Sequence, residues 1–362
     1  MKKKIFIVVA LIALSTATFA SNKFGAKAHA MGGAFTAIAD DASAVYWNPA
    51  GLTQTKILGL NANIGVQADL DQISKIADFV DDAQKLVDMS DKYQLAKGLS
   101  ELDLPENTDV NLNGMVALNF LNFGLAGIVN DNASFKGTTS EVLGKKVPNA
   151  TAENKIVGQG IFGGGFELID PPLLGSLSIG GNVKYLYSRI DSVIVDSTKL
   201  ANGTEGVLEI LDAKTDSGIG ADLGILATLT DINILNVKAA ATIRNLVSTL
   251  DVEDSSLKRA TTLGIGATFK FPLVAIFSAR VAADLEMVED QDDAIKHFGA
   301  EGTLGFISIR GGVYGTDLGD QDKSVLTGGL GLNLPFIDFN VAVDSDDYMN
   351  LSGTFNFWLT FS

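Results

Sequence analysis

The chain has 362 residues, 46% hydrophobic and 19% charged, with a formal net charge of −16, 38 glycines, 7 prolines and no cysteine. This composition excludes disorder, a disulfide framework and thiolate metal ligation, and the acidic balance argues against nucleic acid as a partner. After the leader no apolar run reaches the ~18 residues of a spanning helix, so an exported chain of this kind is either soluble or a β-barrel.

Residues 1–20 have the make-up of a secretory signal peptide. Lys2, Lys3 and Lys4 form a basic start, Ile5 to Leu14 is apolar, and Thr18 and Ala20 are small residues at cleavage spacing. Residues 21–55 follow as a small-residue segment ending in Trp47-Asn48-Pro49-Ala50-Gly51. Asn48-Pro49 favours a turn, and many Ala and Gly residues let backbone pack closely against a wall. From Ile57 onward the pattern alternates with period two. Leu58, Leu60, Ala62, Ile64 and Val66 share one face, and Gly59, Asn61, Asn63, Gly65 and Gln67 the other.

Fourteen such segments are predicted, at 57–67, 110–120, 122–130, 155–168, 176–189, 217–229, 235–245, 261–270, 274–286, 295–304, 306–315, 324–334, 336–344 and 350–361. Their links alternate in length. Those at 68–109, 131–154, 190–216, 246–260, 287–294, 316–323 and 345–349 are long. Those at Leu121, 169–175, 230–234, 271–273, Gly305 and Pro335 are short. Long external loops and short periplasmic turns are the asymmetry of an outer-membrane barrel. In 70–102, apolar residues from Ile73 to Met89 recur at three- and four-residue spacing, which predicts a helical insertion, broken near Ser90, in the first external loop.

The expected fold is therefore all-β: a transmembrane antiparallel β-barrel of about 14 strands over 56–362, with an N-terminal plug. The lipid-facing side of the pattern carries almost no charge, because a charge there costs ~2–4 kcal/mol at midplane. The charges fall on the other face, as Lys184, Asp222, Lys238, Arg244, Arg280, Asp284, Glu286, Glu301, Arg310 and Asp338, and are expected in the lumen. Mixed signs on neighbouring strands point to a wall-to-plug ion-pair network rather than a selective constriction. Gly163, Gly164 and Gly165 either mark a kink that opens the wall or make room for plug and aromatic packing.

Residues 25–52 also resemble the N-terminal plug of the long-chain fatty-acid transporter family of the outer membrane (FadL type). The resemblance rests on Met31-Gly32-Gly33, Asp40-Asp41-Ala42-Ser43-Ala44 and Asn48-Pro49-Ala50. The wider group includes secretion-shuttle and conjugal-transfer TraF-like barrels. It implies a fourteen-stranded barrel with the N-terminus inside and lateral release of hydrophobic ligands. Two functions follow: passive uptake of hydrophobic or amphipathic small molecules, or a docking platform for secretion or conjugation proteins. Outer-membrane lipid is an expected partner under either.

The chain lacks GxSxG, HExxH and phosphate-loop motifs. His29 is expected in the plug and His297 on the lumen wall, neither at metal-ligand spacing. His297 beside Asp284 or Glu301 would be the one start of a hydrolytic site. No enzyme activity, catalytic residue, cofactor or metal is expected.

Overall fold

The computed structural model describes residues 24–67, 91–102, 108–169, 175–196, 208–210, 213–250, 257–271, 276–346 and 348–357, with scattered positions between 75 and 86. The signal peptide expected at 1–20 and the last residues of the final strand lie outside the described residues.

The strands are β1 (Leu58–Gln67), β2 (Thr108–Phe120), β3 (Phe123–Val142), β4 (Lys145–Ile169), β5 (Leu177–Val195), β6 (Leu208–Ile210), β7 (Lys214–Ile232) and β8 (Leu235–Ser248). They continue as β9 (Ala260–Lys270), β10 (Phe277–Val288), β11 (Ile295–Leu304), β12 (Ile307–Gly315), β13 (Ser324–Asn333), β14 (Ile337–Asp344) and β15 (Tyr348–Phe357). Each pairs antiparallel with its neighbour, β5 pairs with β7, and β1 pairs with β15 from Leu58↔Phe357 to Gln67↔Tyr348. The sheet thus closes into a ring of fourteen strands, which removes the exposed edge. The three-residue β6 adds to β5 at Val193–Val195, outside the ring.

The faces sort as the alternation requires. Leu60, Ile64, Val116, Leu125, Val183, Ile219, Ile265, Ile309, Leu330 and Phe339 are exposed, whereas Asn61, Asn63, Asn113, Asn182 and Asn340 are buried inside. An apolar belt running around the whole barrel exceeds what a water-soluble surface carries, and it fits a bilayer. Among the described residues no helix is long and apolar enough to cross a membrane. The crossing is made by strands.

The second long link corrects the sequence reading. Residues 131–154 are not a loop. β3 runs to Val142 and β4 starts at Lys145, so the two continue as one hairpin 20 and 25 residues long. The turn is Leu143-Gly144, with φ of 51° and 73°. Positive φ at both positions is the two-residue geometry that matches strand twist. Beyond the bilayer neither face of this hairpin meets lipid, so Asn130-Asp131-Asn132-Ala133-Ser134 carries no hydrophobic period.

The first long link does contain helix. Positions 75, 78, 79, 82 and 86 are helical, and α3 spans Lys92–Ser100. The Asp91 side chain accepts from the backbone N–H of Tyr93 and Gln94, the expected cap. This insertion packs on the long hairpin. Leu99, Leu86 and Leu102 meet Val142 and Val147, and Phe79 meets Phe135 edge-on at 6.0 Å.

Candidate functional site: a plug seated in the lumen

Two short helices, α1 (Ala26–Ala30) and α2 (Ala44–Trp47), and a 3-10 turn at Pro49–Gln54 fill the barrel. Nearly every residue from Phe24 to Leu52 is buried. Phe35, Val45, Tyr46, Trp47 and Leu52 form one core with the inward side chains Met115, Ala117, Ala126, Ile128 and Ile161. Burying each large side chain is worth about 1.5–3 kcal/mol. The Trp47 indole N–H donates to the Phe24 carbonyl at 3.2 Å, and its ring meets Tyr46 and Phe35 edge-on.

Asn48 is fully buried and uses its whole amide. Oδ1 accepts from the Ala50 N–H at 3.0 Å. Nδ2 donates to Thr36 O at 3.1 Å within the plug and to Ile225 O at 3.2 Å on the wall. Pro49 then opens the 3-10 turn, where its missing N–H costs nothing. Glycines receive this turn. A Cβ at Gly224 would lie 2.1 Å from Asn48 Oδ1, one at Gly180 2.3 Å from Ala50 N, and one at Gly165 2.8 Å from Pro49 O. The Asn-Pro-Ala motif is therefore one half of a contact whose other half is a glycine seat on β4, β5 and β7.

Gly163 and Gly164 serve the same closeness, under Asn182 and Phe123. The β4–β5 register is continuous through all three glycines and shifts only between Glu167 and Ile169. Gly163–Gly165 thus lie against Asn182, Phe123 and the plug backbone at Pro49. A larger irregularity lies elsewhere. Between Ala221↔Val247 and Leu223↔Ile243, Asp222 faces a bulge in β8, where Asn245 has φ 52°. The Asn245 N–H donates to Asp222 Oδ1 at 2.7 Å, and Lys184 Nζ bonds both Asp222, at 2.7 Å, and Asn245 Oδ1, at 2.9 Å.

The neighbouring carboxylates of the plug differ in role. Asp41 accepts from the N–H and Oγ of Ser43 at 2.8 and 2.5 Å, closing a local turn. Asp40 faces the wall. It pairs with Lys27 at 2.7 Å and with Arg280 of β10 at 3.1 Å. Burial alone would raise its carboxyl, but Lys27 and Arg280 outweigh burial and hold it well below the usual carboxylate range.

The remaining lumen charges form the rest of the network. Glu301 takes Arg310 at 2.5 Å and Arg280 at 3.9 Å, Arg244 pairs with Glu286 at 2.5 Å, and Lys238 Nζ donates to Gln54. Asp284 holds the plug backbone, accepting from the N–H groups of Phe35 and Thr36 at 3.0 and 2.9 Å. Arg244 also lies over the Tyr46 ring at 5.6 Å. Burial, with Glu286 and Asp222 close by, pushes the Tyr46 hydroxyl above its usual range in spite of Arg244.

The histidines are both at the plug boundary. His29 Nε2 is 3.2 Å from Asp344 Oδ2. His297 touches Glu286 and the Gly32 carbonyl. Its ring nitrogens thus meet Glu286 and the plug backbone, while Asp284 accepts from the Phe35 and Thr36 N–H groups and Glu301 takes Arg310. Among the described residues no cluster of His, Cys, Asp or Glu could hold a metal ion.

The lumen wall is divided. On β2 to β5 much of the buried inward surface is apolar: Met115, Ala117, Ala126, Ile128, Val157, Ile161 and Leu186. Leu250 and Leu257, at the two ends of the link between β8 and β9, fold in to cluster with Val157 and Leu186. On β8 to β12 the inward surface is the ion-pair network.

No family model and no curated protein matches the sequence. Solved structures do. The toluene transporter TbuX of Ralstonia pickettii is 13% identical, with a TM-score of 0.50 over 91% of this chain and 96% of its own. A TodX monoaromatic hydrocarbon channel lacking S2 and S3 is 10% identical, with a TM-score of 0.54 over 92% of this chain and 99% of its own. The S2-deleted form is 12% identical, with a TM-score of 0.53 over 94% and 100%. The chain shares their fold. At these identities the likeness establishes the barrel architecture and nothing finer.

Proposed function

We propose that this barrel takes up small, uncharged hydrophobic molecules across the outer membrane. The observation that carries the reading is the divided lumen. Apolar side chains make up much of the inward wall of β2 to β5, where Lys184 is paired with Asp222, and on the opposite wall Arg244, Arg280 and Arg310 are paired with Glu286, Asp40 and Glu301. A ligand carboxylate drawn to one of those arginines or to Lys184 would have to break its pair, leaving a buried charge uncompensated, which costs about 3–5 kcal/mol. A neutral molecule has only to exchange with Leu250 and Leu257 against Val157 and Leu186. The toluene transporter and the monoaromatic hydrocarbon channels named above support hydrophobic uptake on this fold.

A docking platform for secretion or conjugation proteins is less well supported. Among the described residues of the helical insertion, the element that would dock a partner, Phe79, Leu86, Leu99 and Leu102 are packed against the chain's own β3–β4 hairpin.

The test is equilibrium binding of a labelled neutral hydrocarbon and a labelled fatty-acid anion to detergent-purified protein, with Leu186→Asp alongside. The expected result is saturable hydrocarbon binding, weaker in the variant, and weaker binding of the anion. Equal or tighter binding of the anion would overturn the choice of a neutral ligand. Binding of neither by a folded, heat-modifiable barrel would overturn uptake itself.

A further inference from the structure

We propose that His297 is a protonation-controlled latch on the plug: its imidazole holds wall and plug together only while both ring nitrogens carry hydrogen. His297 Nδ1 is 2.7 Å from the Gly32 carbonyl oxygen, and Nε2 is 3.2 Å from Glu286 Oε2. A backbone carbonyl and a carboxylate are both acceptors. A neutral imidazole has one donor and one acceptor, so it satisfies one of these contacts and opposes the other; the imidazolium satisfies both.

The surroundings hold the ring in this bridging position. It is buried, stacked on Tyr314 at 5.9 Å with an 18° tilt, and a Cβ at Gly33 would lie 2.9 Å from Nδ1. It cannot rotate away from the Met31-Gly32-Gly33 turn without losing that stack. On the other side of that turn, Thr327 Oγ1 bonds the Gly32 N–H at 3.0 Å and the Ala30 carbonyl at 3.1 Å. Unlike the Thr327 contacts, the His297 contact depends on a proton.

Charged and aromatic groups face the ring from the elements packed around it. From β10, Asp284 and Glu286 face it. Arg244 of β8 pairs with Glu286 at 2.5 Å. From β12 come Tyr314 and, further along, Arg310. On β11 itself Lys296 bonds the Thr316 carbonyl and Glu301 is engaged by Arg310. The plug brings Tyr46, stacked under Arg244, and His29, paired with Asp344 of β14.

The direction follows from linkage. At His297 the seated plug binds one more proton than the released one, so this link is fully made at pH 5–6 and is lost as pH rises. A one-proton linkage changes the ratio of seated to released plug by about tenfold per pH unit within the transition. The inference needs the plug geometry but not the identity of any ligand, so it stands or falls apart from the uptake reading.

The chain has two histidines and two tryptophans, which makes the test direct. In a Trp358→Phe background, Trp47 reports the plug through quenching by acrylamide, a neutral quencher. Trp47 should be shielded at pH 5–6 and become quenched in a step as pH rises, while heat-modifiability shows that the barrel stays folded. His297→Gln, whose amide presents one donor end and one acceptor end, should remove the step. His29→Gln should leave it. Ring 15N shifts of the unsubstituted protein supply a reading independent of any variant: one of the two rings should be doubly protonated while Trp47 is shielded. A plug that stays shielded with both rings singly protonated, a step unchanged in His297→Gln, or a step lost in His29→Gln instead would each overturn the proposal.

Discussion

Replacing Asn48 tests how the plug is held. Asn48→Ala removes three hydrogen bonds and leaves the Ala50 N–H and the Thr36 carbonyl buried without those partners. Each of these two buried orphans costs about 1–3 kcal/mol, so the loss is about 2–6 kcal/mol, concentrated on the turn that meets the glycine seat. Asn48→Asp is almost isosteric yet should be worse. It keeps an acceptor for Ala50 but turns a carboxylate oxygen toward the carbonyls of Thr36 and Ile225, where Nδ2 donates. The assay is limited proteolysis of residues 24–55 in folded, heat-modifiable protein. The order of protection should be wild type, then Ala, then Asp. An Asp variant as well protected as wild type would refute the assignment of Asn48 as a donor to the wall.

Other outcomes follow from the same geometry. Gly180→Ala places a methyl 2.3 Å from plug backbone and should release the plug, whereas Gly160→Ala, with nothing within 4 Å, should not; Trp47 quenching distinguishes them. Arg280→Met leaves Asp40 and Glu301 short of a partner and should destabilise plug seating by about 2 kcal/mol in proteolysis at increasing denaturant, the low end for a buried pair because Arg280 is about one-fifth exposed. Asp40 sits well below its ordinary range, so its contribution is complete above the unfolded carboxylate value near 3.8 and is lost as pH falls below it; Arg280→Met should bring that acid release of the plug to higher pH. In intact cells Asp346→Cys should react with an impermeant maleimide and Asp231→Cys, at the short-turn end, should not; labelling of Asp231→Cys alone would invert the orientation.

The barrel was legible because lipid imposes a rule on sequence. Each strand that crosses the bilayer has one face against acyl chains, and so Leu58 to Val66 and Val110 to Phe120 alternate without charge on that face. Where the rule lapses, legibility lapses too. The β3–β4 hairpin beyond the membrane has no acyl chains against it and is partly covered by the helical insertion, and its turn is Leu143-Gly144 rather than the Asn-Gly or Asp-Gly pair that signals a two-residue hairpin. The lumen charges could be assigned to the inner face from parity alone, but not to one another. That Asp40 meets Arg280 while Asp41 closes a turn on Ser43 and accepts from Asn61 of the wall depends on where the plug comes to rest. The glycine seat was half visible. Gly165 stood out in a glycine run, whereas Gly180 and Gly224 sit singly in β5 and β7 and acquire meaning only when Asn48 and Pro49 are placed against them.

The divided lumen is tested most directly by photo-crosslinking purified protein with a small uncharged diazirine hydrocarbon and mapping the adducts by mass spectrometry. The account predicts adducts at Val157, Leu186, Leu250 and Leu257 that are competed by unlabelled hydrocarbon and spared by a fatty-acid anion. Adducts confined to the outer belt, at residues such as Ile219, Ile265 and Ile309, would contradict a ligand path through the lumen.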